Sequence, residues 1–403
     1  MRPSSENAPA GSLRAAVGLG LLACVLYGFA AGIRGTIGVL LAPLASNAGV
    51  SYADASLSVA VMQIVFGASQ PVFGMLAQRR GNRFVLVMGA MLVCASCALM
   101  PLPLGAWGLT LSLGILFGCG AGALAFGLIL ASATRLVGKA RAMLVAGMLN
   151  ASAGLGTFVL APTIRGTLDE AGLPFACALL AVVALALVPM ARAVTSADKP
   201  PAREDASSGL TGIALLRGAF RNRTFLLLVV GFSTCGFHMV LIEAHLFSQY
   251  VSYGIPEQAA SWAFSLYGIA TIIGALLSGW LSSWCRKNRL LGFYYGFRAL
   301  WVLAFLFLFP KTLPFVVLFS LGLGLTGDAT VSPTSGLVNG CFPLAEAATL
   351  TGVLFLFHQI GAFASSALGG LMLQWTGGYV GVWVLDAALC VVASAVSLRI
   401  REA

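Results

Sequence analysis

The stretch that decides the fold runs from residue 54 to residue 83 and reads DASLSVAVMQIVFGASQPVFGMLAQRRGNR. After Asp54, 24 consecutive residues carry no charge, and three arginines follow within the next five positions. A helix that crosses a membrane needs about 20 consecutive, mostly apolar residues. The stretch therefore predicts one membrane-spanning helix that ends in a basic loop.

The whole chain repeats this pattern of long apolar runs and short basic loops. Of its 403 residues, 59% are hydrophobic and 9% are charged, whereas about a quarter of the residues in a soluble domain are charged. This composition excludes a soluble enzyme, a nucleic-acid-binding protein and a disordered scaffold. We predict an all-α membrane protein with twelve transmembrane helices, at residues 14–44, 54–77, 84–104, 107–134, 142–164, 172–195, 224–250, 258–284, 290–310, 313–337, 347–372 and 378–399.

The basic residues predict which way the chain crosses the membrane. An even number of spans places both termini on one side. If that side is the cytoplasm, cytoplasmic segments hold 19 of the 23 lysines and arginines, and the loops on the other side hold only Arg165 and Lys311. The positive-inside rule then predicts that both termini lie in the cytoplasm, and we expect the membrane to be a bacterial-type inner membrane. The first span is too long for a signal-peptide core, so we predict that it is retained.

The longest interruption between spans, at residues 196–222, contains Pro, Ser and mixed charges, as a linker does. Its stretch from Leu210 to Phe220 predicts a short amphipathic helix on the membrane surface. The predicted division is therefore a cytoplasmic N-terminal tail, a six-helix bundle, a cytoplasmic linker, a second six-helix bundle and a C-terminal tail, at residues 1–13, 14–195, 196–222, 223–399 and 400–403.

A weak internal repeat supports the two halves. Gly74-Met-Leu76 ends the second span, and Gly279-Trp-Leu281 ends the eighth span 205 residues further along. Each is followed by a basic loop. Two pseudo-symmetric six-helix bundles with a site between them are typical of secondary transporters.

The loop after the second span resembles the signature G-x-L-a-D-R-x-G-r-R of the major facilitator superfamily. The matching positions are Gly74, Gln78, Arg79, Gly81 and Arg83. The resemblance implies alternating access of two six-helix halves, with this loop in the gate. Gln78 stands where the family usually has an acid, so one charge partner of that gate is missing here.

Other segments are similar to the monocarboxylate transporter and oxalate/formate antiporter branch of that superfamily. They are Gly32-Ile-Arg34-Gly-Thr-Ile-Gly38, Gln70-Pro71-Val-Phe-Gly74, Gly236-Phe-His238 and His358-Gln359-Ile-Gly361. The resemblance implies a small organic anion as substrate, namely a monocarboxylate. Members of the branch often carry an arginine in helix eight, and span eight of this chain has none.

Few charges lie inside the predicted spans, and a charge at that depth costs several kcal/mol, so each is a candidate functional group. Arg34 is the candidate for the carboxylate, because a guanidinium fork matches a carboxylate bidentately. Tyr27, seven residues earlier, lies on the same helical face. The alternative is a structural ion pair between Arg34 and a buried acid such as Asp328 or Glu243.

The predicted substrate contacts are Tyr27, Arg34, Gln63, Asn150, His238 and His358. The offset of 205 residues carries Arg34 to position 239, so we expect His238 to face Arg34 across the cavity. The alternative for the amides and histidines is hydrogen bonding between helices, which such residues commonly supply in membranes.

The candidates for proton coupling are Glu243, Asp328 and His245. Glu243 lies five residues from His238, about 140° around a regular helix, so the two share a face only if Gly236 permits a bend. Asp328 lies in a glycine-rich stretch that ends at Pro333, which predicts a broken helix lining a cavity. We expect Arg298 to form a structural ion pair with Asp386 or Asp328.

The sequence thus predicts a proton-coupled secondary transporter of a small organic anion, working as a monomer. One alternative is a proton-antiport exporter of cationic or amphipathic compounds in the same fold, which the sign of the substrate charge would distinguish. A membrane-embedded enzyme or sensor would need a nucleophile–base constellation or a soluble domain. We find neither in the sequence, nor a phosphate-binding loop or metal-ligand motif, and predict no catalytic residue, cofactor or metal.

Overall fold

The computed structural model describes residues 10–138, 142–196, 198 and 216–402. These residues form helices and short connections, without strands. Twelve helical spans are long and apolar enough to cross a membrane. The predicted fold class is confirmed.

The twelve spans are numbered α1 to α12 in chain order. The first is kinked at Thr36 and consists of Ala10–Gly35 and Ile37–Ala48. The others are Tyr52–Arg80, Asn82–Leu99, Gly105–Val137, Ala142–Ala171, Leu173–Val194, Arg223–Ser252, Glu257–Trp284, Lys287–Phe307, Leu313–Cys341, Leu344–Thr376 and Val380–Leu398.

Local sequence signals fix several of these ends. Ser51 and Asp54 form a capping box at the start of α2, in which each side chain accepts a hydrogen bond from the other's backbone N–H. Gly81, with φ of 88°, turns the chain from α2 directly into α3. Asn222 caps α7, because its side-chain oxygen accepts from the Thr224 N–H at 2.8 Å.

The packing of the helices repeats between the two halves. The most extensive contacts pair α1 with α5, α2 with α4 and α3 with α6 in the first half, and α7 with α11, α8 with α10 and α9 with α12 in the second. Between the halves, α2 packs on α11 and α5 packs on α8. Each pair has its counterpart six helices later, which confirms the pseudo-symmetric arrangement.

Two glycines allow the close contact of α5 with α8 across this boundary. A Cβ atom at Gly154 would collide with the Gly268 carbonyl oxygen, and one at Gly268 would collide with that of Gly154. Small residues let membrane helices approach closely in this way.

Four helices, α1, α4, α7 and α10, are irregular, and in α4 the residues Thr110–Phe117 form a π-helical segment. Besides the kink in α1, α7 contains a π-helical turn, Ile242–Leu246. Gly236, the expected bend, lies in its regular part, Arg223–Leu241. The predicted break in α10 is confirmed: this helix consists of Leu313–Thr326, a 3₁₀ turn at Asp328–Thr330, and Val331–Cys341.

Parts of the predicted organisation lie outside the described residues. Of the predicted linker, only residues 196, 198 and 216–222 are described, and residues 216–219 of the expected amphipathic helix are helical. Several basic residues that entered the orientation argument also lie outside them, namely Arg2, Lys139, Arg141, Lys199 and Arg203.

Candidate substrate-binding site

An ion pair joins the two halves near the centre of the molecule. Nη1 of Arg34, in α1, lies 2.8 Å from Oε2 of Glu243, in α7, and Nη2 lies 3.4 Å from Oε1. The side chains are 22% and 15% exposed. The guanidinium therefore already holds a carboxylate in its fork, and this carboxylate belongs to the opposite half.

The π-helical turn of α7 positions Glu243. Residues Ile242–Leu246 form this turn, and such turns shift the helical register and often occur at functional sites. The backbone of α1 comes very close at this point, since a Cβ atom at Gly38 would collide with the Glu243 carbonyl oxygen. The close approach and the shifted register together bring Glu243 to Arg34.

Side chains from three helices surround the ion pair. Tyr27 of α1, Asp328 of α10 and His358 of α11 all lie within electrostatic range of both Arg34 and Glu243. All three are only half-buried. The site therefore combines one paired cation, one paired carboxylate, a second carboxylate, an imidazole and a phenol.

Aromatic rings complete the walls of this site. The Arg34 guanidinium lies over the Phe66 ring, 5.3 Å from its centroid. Tyr27 packs edge-on against Phe126, with 5.5 Å between ring centroids. The His358 ring lies 5.0 Å from that of Phe232. An organic anion beside Arg34 would thus meet apolar surface as well as charge.

Asp328 lies directly after the end of the first segment of α10. Within the described part of the chain its carboxylate has no hydrogen bond or ion pair. The expected pairing of Arg298 with Asp328 or Asp386 is wrong. Arg298 instead donates to the backbone carbonyl oxygens of Thr326 and Gly327.

The structure places His238 on a different side of α7 from Glu243. His238 is fully buried, and its Nδ1 donates to Oδ2 of Asp386, in α12, at 2.7 Å. Glu243 rather than His238 therefore lies opposite Arg34. The 205-residue offset relates the two backbones, but it does not account for the π-helical turn in α7.

Cys390 also belongs to this buried cluster behind α7. Ligand atoms of His238, Asp386 and Cys390 all lie within 4.8 Å of one another. The His238 Nδ1 is already bonded to Asp386, and the positive charge of Arg298 lies within electrostatic range of both His238 and Cys390. A cation would be repelled there, so we assign no metal to these residues.

The other predicted site residues are spread over the molecule. His245 is fully buried and contacts the opposite half away from Arg34. Gln63 is also buried, and its Oε1 has no hydrogen-bond partner among the described residues. Asn150 is half-buried in α5. The structure thus brings together Arg34, Glu243, Asp328, Tyr27 and His358.

His245 helps to close one end of the molecule. Its Nε2–H donates to the Ser366 carbonyl oxygen at 2.9 Å, so its Nδ1 accepts from the Tyr52 hydroxyl at 3.1 Å. Tyr52 belongs to the first half and His245 to the second. The Ser366 hydroxyl also donates to the Ser56 carbonyl oxygen across the same boundary at 2.9 Å.

An ion pair strengthens this closed end. Arg165, near the end of α5, contacts Asp169 in its own helix and Glu257 at the start of α8. Nearby, the rings of Phe158 and Trp262 pack across the boundary with 6.1 Å between centroids. No sequence pattern identified Tyr52, Ser366 or Glu257 as contacts of this end. A weak signal was present, since Arg165 is one of the two basic residues in the sparsely charged loops.

The opposite end of the molecule, here called the basic end, carries residues 79–83 and 286–289. Gln78, Arg79 and Arg83 of the predicted gating loop are exposed, and Gly74 and Gly81 are half-buried. A Cβ atom at Gly74 would meet open space. Within the ranges that the structure describes, no hydrogen bond or ion pair joins the halves at this end. Among the described residues, the hydrogen bonds and ion pairs that join the halves therefore lie at the closed end and at the pair of Arg34 and Glu243.

Comparisons with known proteins agree with this architecture. The family model described as Major Facilitator Superfamily matches residues 23–252 and 239–403. Monocarboxylate transporter 11 of Mus musculus is 25% identical over 369 residues, which cover 89% of this chain and 81% of the relative. The uncharacterized MFS-type transporter YcxA of Bacillus subtilis is 26% identical over 351 residues, covering 84% and 82%.

A fungal protein, MFS transporter asaE of Aspergillus flavus, is 24% identical over 323 residues, covering 79% of this chain and 70% of the relative. The resemblance to monocarboxylate transporters is therefore confirmed, at low identity. The family model matches nearly the whole chain, and its helices pack as two six-helix halves. The chain belongs to the major facilitator superfamily of membrane transporters.

Proposed function

We propose that the chain moves a small organic anion, a monocarboxylate, across the membrane by alternating access, together with a proton. The observation that carries this proposal is the ion pair between Arg34 and Glu243, in which a fork made for a carboxylate lies between the two halves. The bundles at 14–195 and 223–399 would move relative to each other as a monomer. The mature protein would lie in a bacterial inner membrane with both termini in the cytoplasm.

Arg34 supplies the substrate site, because two guanidinium N–H groups bind a carboxylate bidentately. In this arrangement the Glu243 carboxylate occupies the guanidinium fork, with 2.8 Å between Nη1 and Oε2 and 3.4 Å between Nη2 and Oε1. A substrate carboxylate would take the same place. Tyr27 and His358 would contact the rest of the anion, and Asn150 would contact a longer substrate.

Glu243 explains why a proton would accompany the anion. If an anion displaced ionised Glu243 from Arg34, the site would hold two carboxylates for one guanidinium. A buried charge without its partner costs several kcal/mol. Protonation of Glu243 removes that charge, so one proton should enter with each anion and leave the total charge of the site unchanged.

The same pair would link binding to the movement of the halves. It is one of the contacts that hold the two halves together, along with those of Tyr52 and Arg165 at the closed end. Binding of a proton and an anion together would break the ion pair between Arg34 and Glu243, and this would weaken the contact between the two halves. By thermodynamic linkage, the proton and the anion then favour each other's binding.

Two predicted contacts receive less support. His238 is fully buried against α12, and Gln63 is buried in α2, so neither has a surface for a substrate. His245 lies in the closed end, where it would contribute to gating rather than carry the transported proton. Asp328, half-buried beside the pair, remains the second candidate for proton uptake.

One observation favours a second function. The Asp328 carboxylate has no cationic partner among the side chains described, and an unpaired carboxylate in a transport site suits an organic cation. An exporter of cationic compounds by proton antiport would use Asp328 for binding. In that case Arg34 would serve only to hold the halves together.

Uptake into liposomes that contain the purified protein tests the proposal. A panel of labelled carboxylates and organic cations is presented with and without an inward proton gradient. We expect the gradient to drive uptake of a monocarboxylate in wild type. Uptake that requires internal anion but ignores the gradient would indicate exchange. Transport of cations alone by folded protein would favour the exporter.

A further inference from the structure

Arg298 is the largest buried cation that the proposed transport step does not use. It lies in α9, has no exposed surface, and donates through Nη2 to the carbonyl oxygens of Thr326 and Gly327, the latter at 2.6 Å. These carbonyls end the first segment of α10. A cation suits that position, because the C-terminal end of a helix carries unpaired carbonyls and partial negative charge.

Side chains from two other helices hold the rest of the break in α10. Pro333 has no N–H, so the Ala329 carbonyl loses its usual helical donor, and the Ser278 hydroxyl of α8 donates to it instead. In α7, the Cys235 thiol lies 3.2 Å from the Thr330 hydroxyl. The break is therefore fixed at several points, as irregular backbone at membrane depth must be.

Asp328 follows Gly327 directly, so the backbone that Arg298 holds also sets where Asp328 points. The guanidinium lies within electrostatic range of Asp328, but among the described residues it donates its hydrogen bonds to the backbone and not to the carboxylate. The Asp328 side chain remains half-buried and unpaired within the described structure.

Behind α7, Arg298 lies beside the buried cluster that contains His238 and Cys390. Asp386, fully buried in α12, bonds to His238, and Arg298 lies within electrostatic range of His238. Nε and Nη1 of Arg298 and Oδ1 of Asp386 have no hydrogen-bond partner among the described residues. Arg298 is thus a buried cation beside the break that forms no ion pair with Asp328 or Asp386 among the described residues.

We propose that Arg298 is a positioning residue of the transport site, which holds the break in α10 through two backbone carbonyls and thereby presents Asp328 to the substrate and proton. This inference rests on the proposed function for its meaning in transport. The placement of Asp328 can be tested without a known substrate.

The test is the reaction of Asp328 with a water-soluble carbodiimide and glycine ethyl ester, quantified by peptide mass spectrometry. The carboxyl group and the amine form an amide, and the carbodiimide takes up the elements of water as a urea. We expect Arg298→Met to lower modification of Asp328 about tenfold, the scale of one charge-assisted hydrogen bond. Loss of the positive charge alone would instead favour the protonated form of Asp328, which reacts with the carbodiimide, and would raise the extent of modification.

Two further variants secure the result. Arg289→Met removes an exposed arginine from the same helix and should leave Asp328 modification unchanged. Arg298→Lys retains the positive charge but lacks the two-pronged guanidinium, and it should lower Asp328 modification by a smaller factor than Arg298→Met. This variant keeps the test possible if Arg298→Met fails to fold. Unchanged or raised modification in folded Arg298→Lys or Arg298→Met would overturn the inference.

Transport gives a second readout once a substrate is found. If Arg298 acts through Asp328, the double variant Arg298→Met/Asp328→Asn should have the same pH profile of uptake as Asp328→Asn alone. Additive changes would show that Arg298 has only a structural role. Wild type that transports no monocarboxylate would contradict the proposed function, while the carbodiimide result would stand.

Discussion

The guanidinium of Arg34 and the carboxylate of Glu243 meet across the boundary between the two halves, with Nη1 and Oε2 2.8 Å apart. They lie 209 residues apart in the chain, on helices related by the internal pseudo-symmetry. The pair therefore joins the proposed substrate-binding group of one half to the proposed proton-binding group of the other.

Replacing Glu243 by Gln should uncouple anion binding from the proton. If wild type takes up one proton with each anion, as proposed, its anion affinity should rise as pH falls, by up to about tenfold per pH unit. Gln carries no charge, so the affinity of Glu243→Gln should be nearly independent of pH. Binding of a labelled anion between pH 5 and 8 measures both. An unchanged pH slope in Glu243→Gln would contradict this role.

Removing Arg34 should abolish anion transport and also expose its structural contribution. Arg34→Ala leaves Glu243 without a partner, which should cost about 2 kcal/mol of unfolding free energy, less than the 3–5 of a fully buried pair, because the site is partly exposed. Arg34→Ala/Glu243→Ala should recover most of that stability. Thermal unfolding measures the change in stability, and uptake assays measure the loss of transport. Wild-type uptake in either variant would exclude Arg34 as the anion site.

The ion pair between Arg165 and Glu257 should hold the closed end together. Glu257→Gln removes the bond between the halves, whereas the matched variant Asp169→Asn removes only a contact within α5. We expect faster hydrogen–deuterium exchange at the starts of α2 and α8 in Glu257→Gln alone. Equal exchange in the two variants would show that this pair does not contribute to closure.

The buried pair of His238 and Asp386 should matter for stability and not for substrate contact. Asp386→Ala leaves the His238 Nδ1–H without an acceptor, which should lower the unfolding free energy by about 1–3 kcal/mol. Asp386→Asn keeps an acceptor and should lose less. The anion dissociation constant should stay close to that of wild type in both. A large change in that constant without a change in stability would place His238 in the site after all.

Much of the fold could be predicted from the sequence, because each step rests on local composition. Uninterrupted apolar runs gave the twelve spans, and the glycines before Pro333 predicted the break in α10. The first helix extends to Ala48, beyond its predicted end at residue 44. Apolarity alone does not mark where a helix stops when its last turn lies at the membrane surface.

The site could be predicted only in part. The sequence identified Arg34, Glu243 and Asp328 as costly charges, but it left two acids as partners for Arg34. The choice depends on the π-helical turn at Ile242–Leu246, which no residue pattern predicted. Arg298 was expected to pair with a carboxylate, because acidic side chains can be read from a sequence. Its actual partners are backbone carbonyls, which every residue has.

Counting protons during anion binding tests the central claim most directly. Purified wild type and Glu243→Gln in weakly buffered detergent solution with a pH indicator would each receive a transported monocarboxylate at saturating concentration. The account predicts that wild type takes up about one proton per bound anion, as the linkage between the two requires, and that Glu243→Gln takes up none. Anion binding to wild type without proton uptake would contradict the claim that the substrate replaces ionised Glu243 at Arg34.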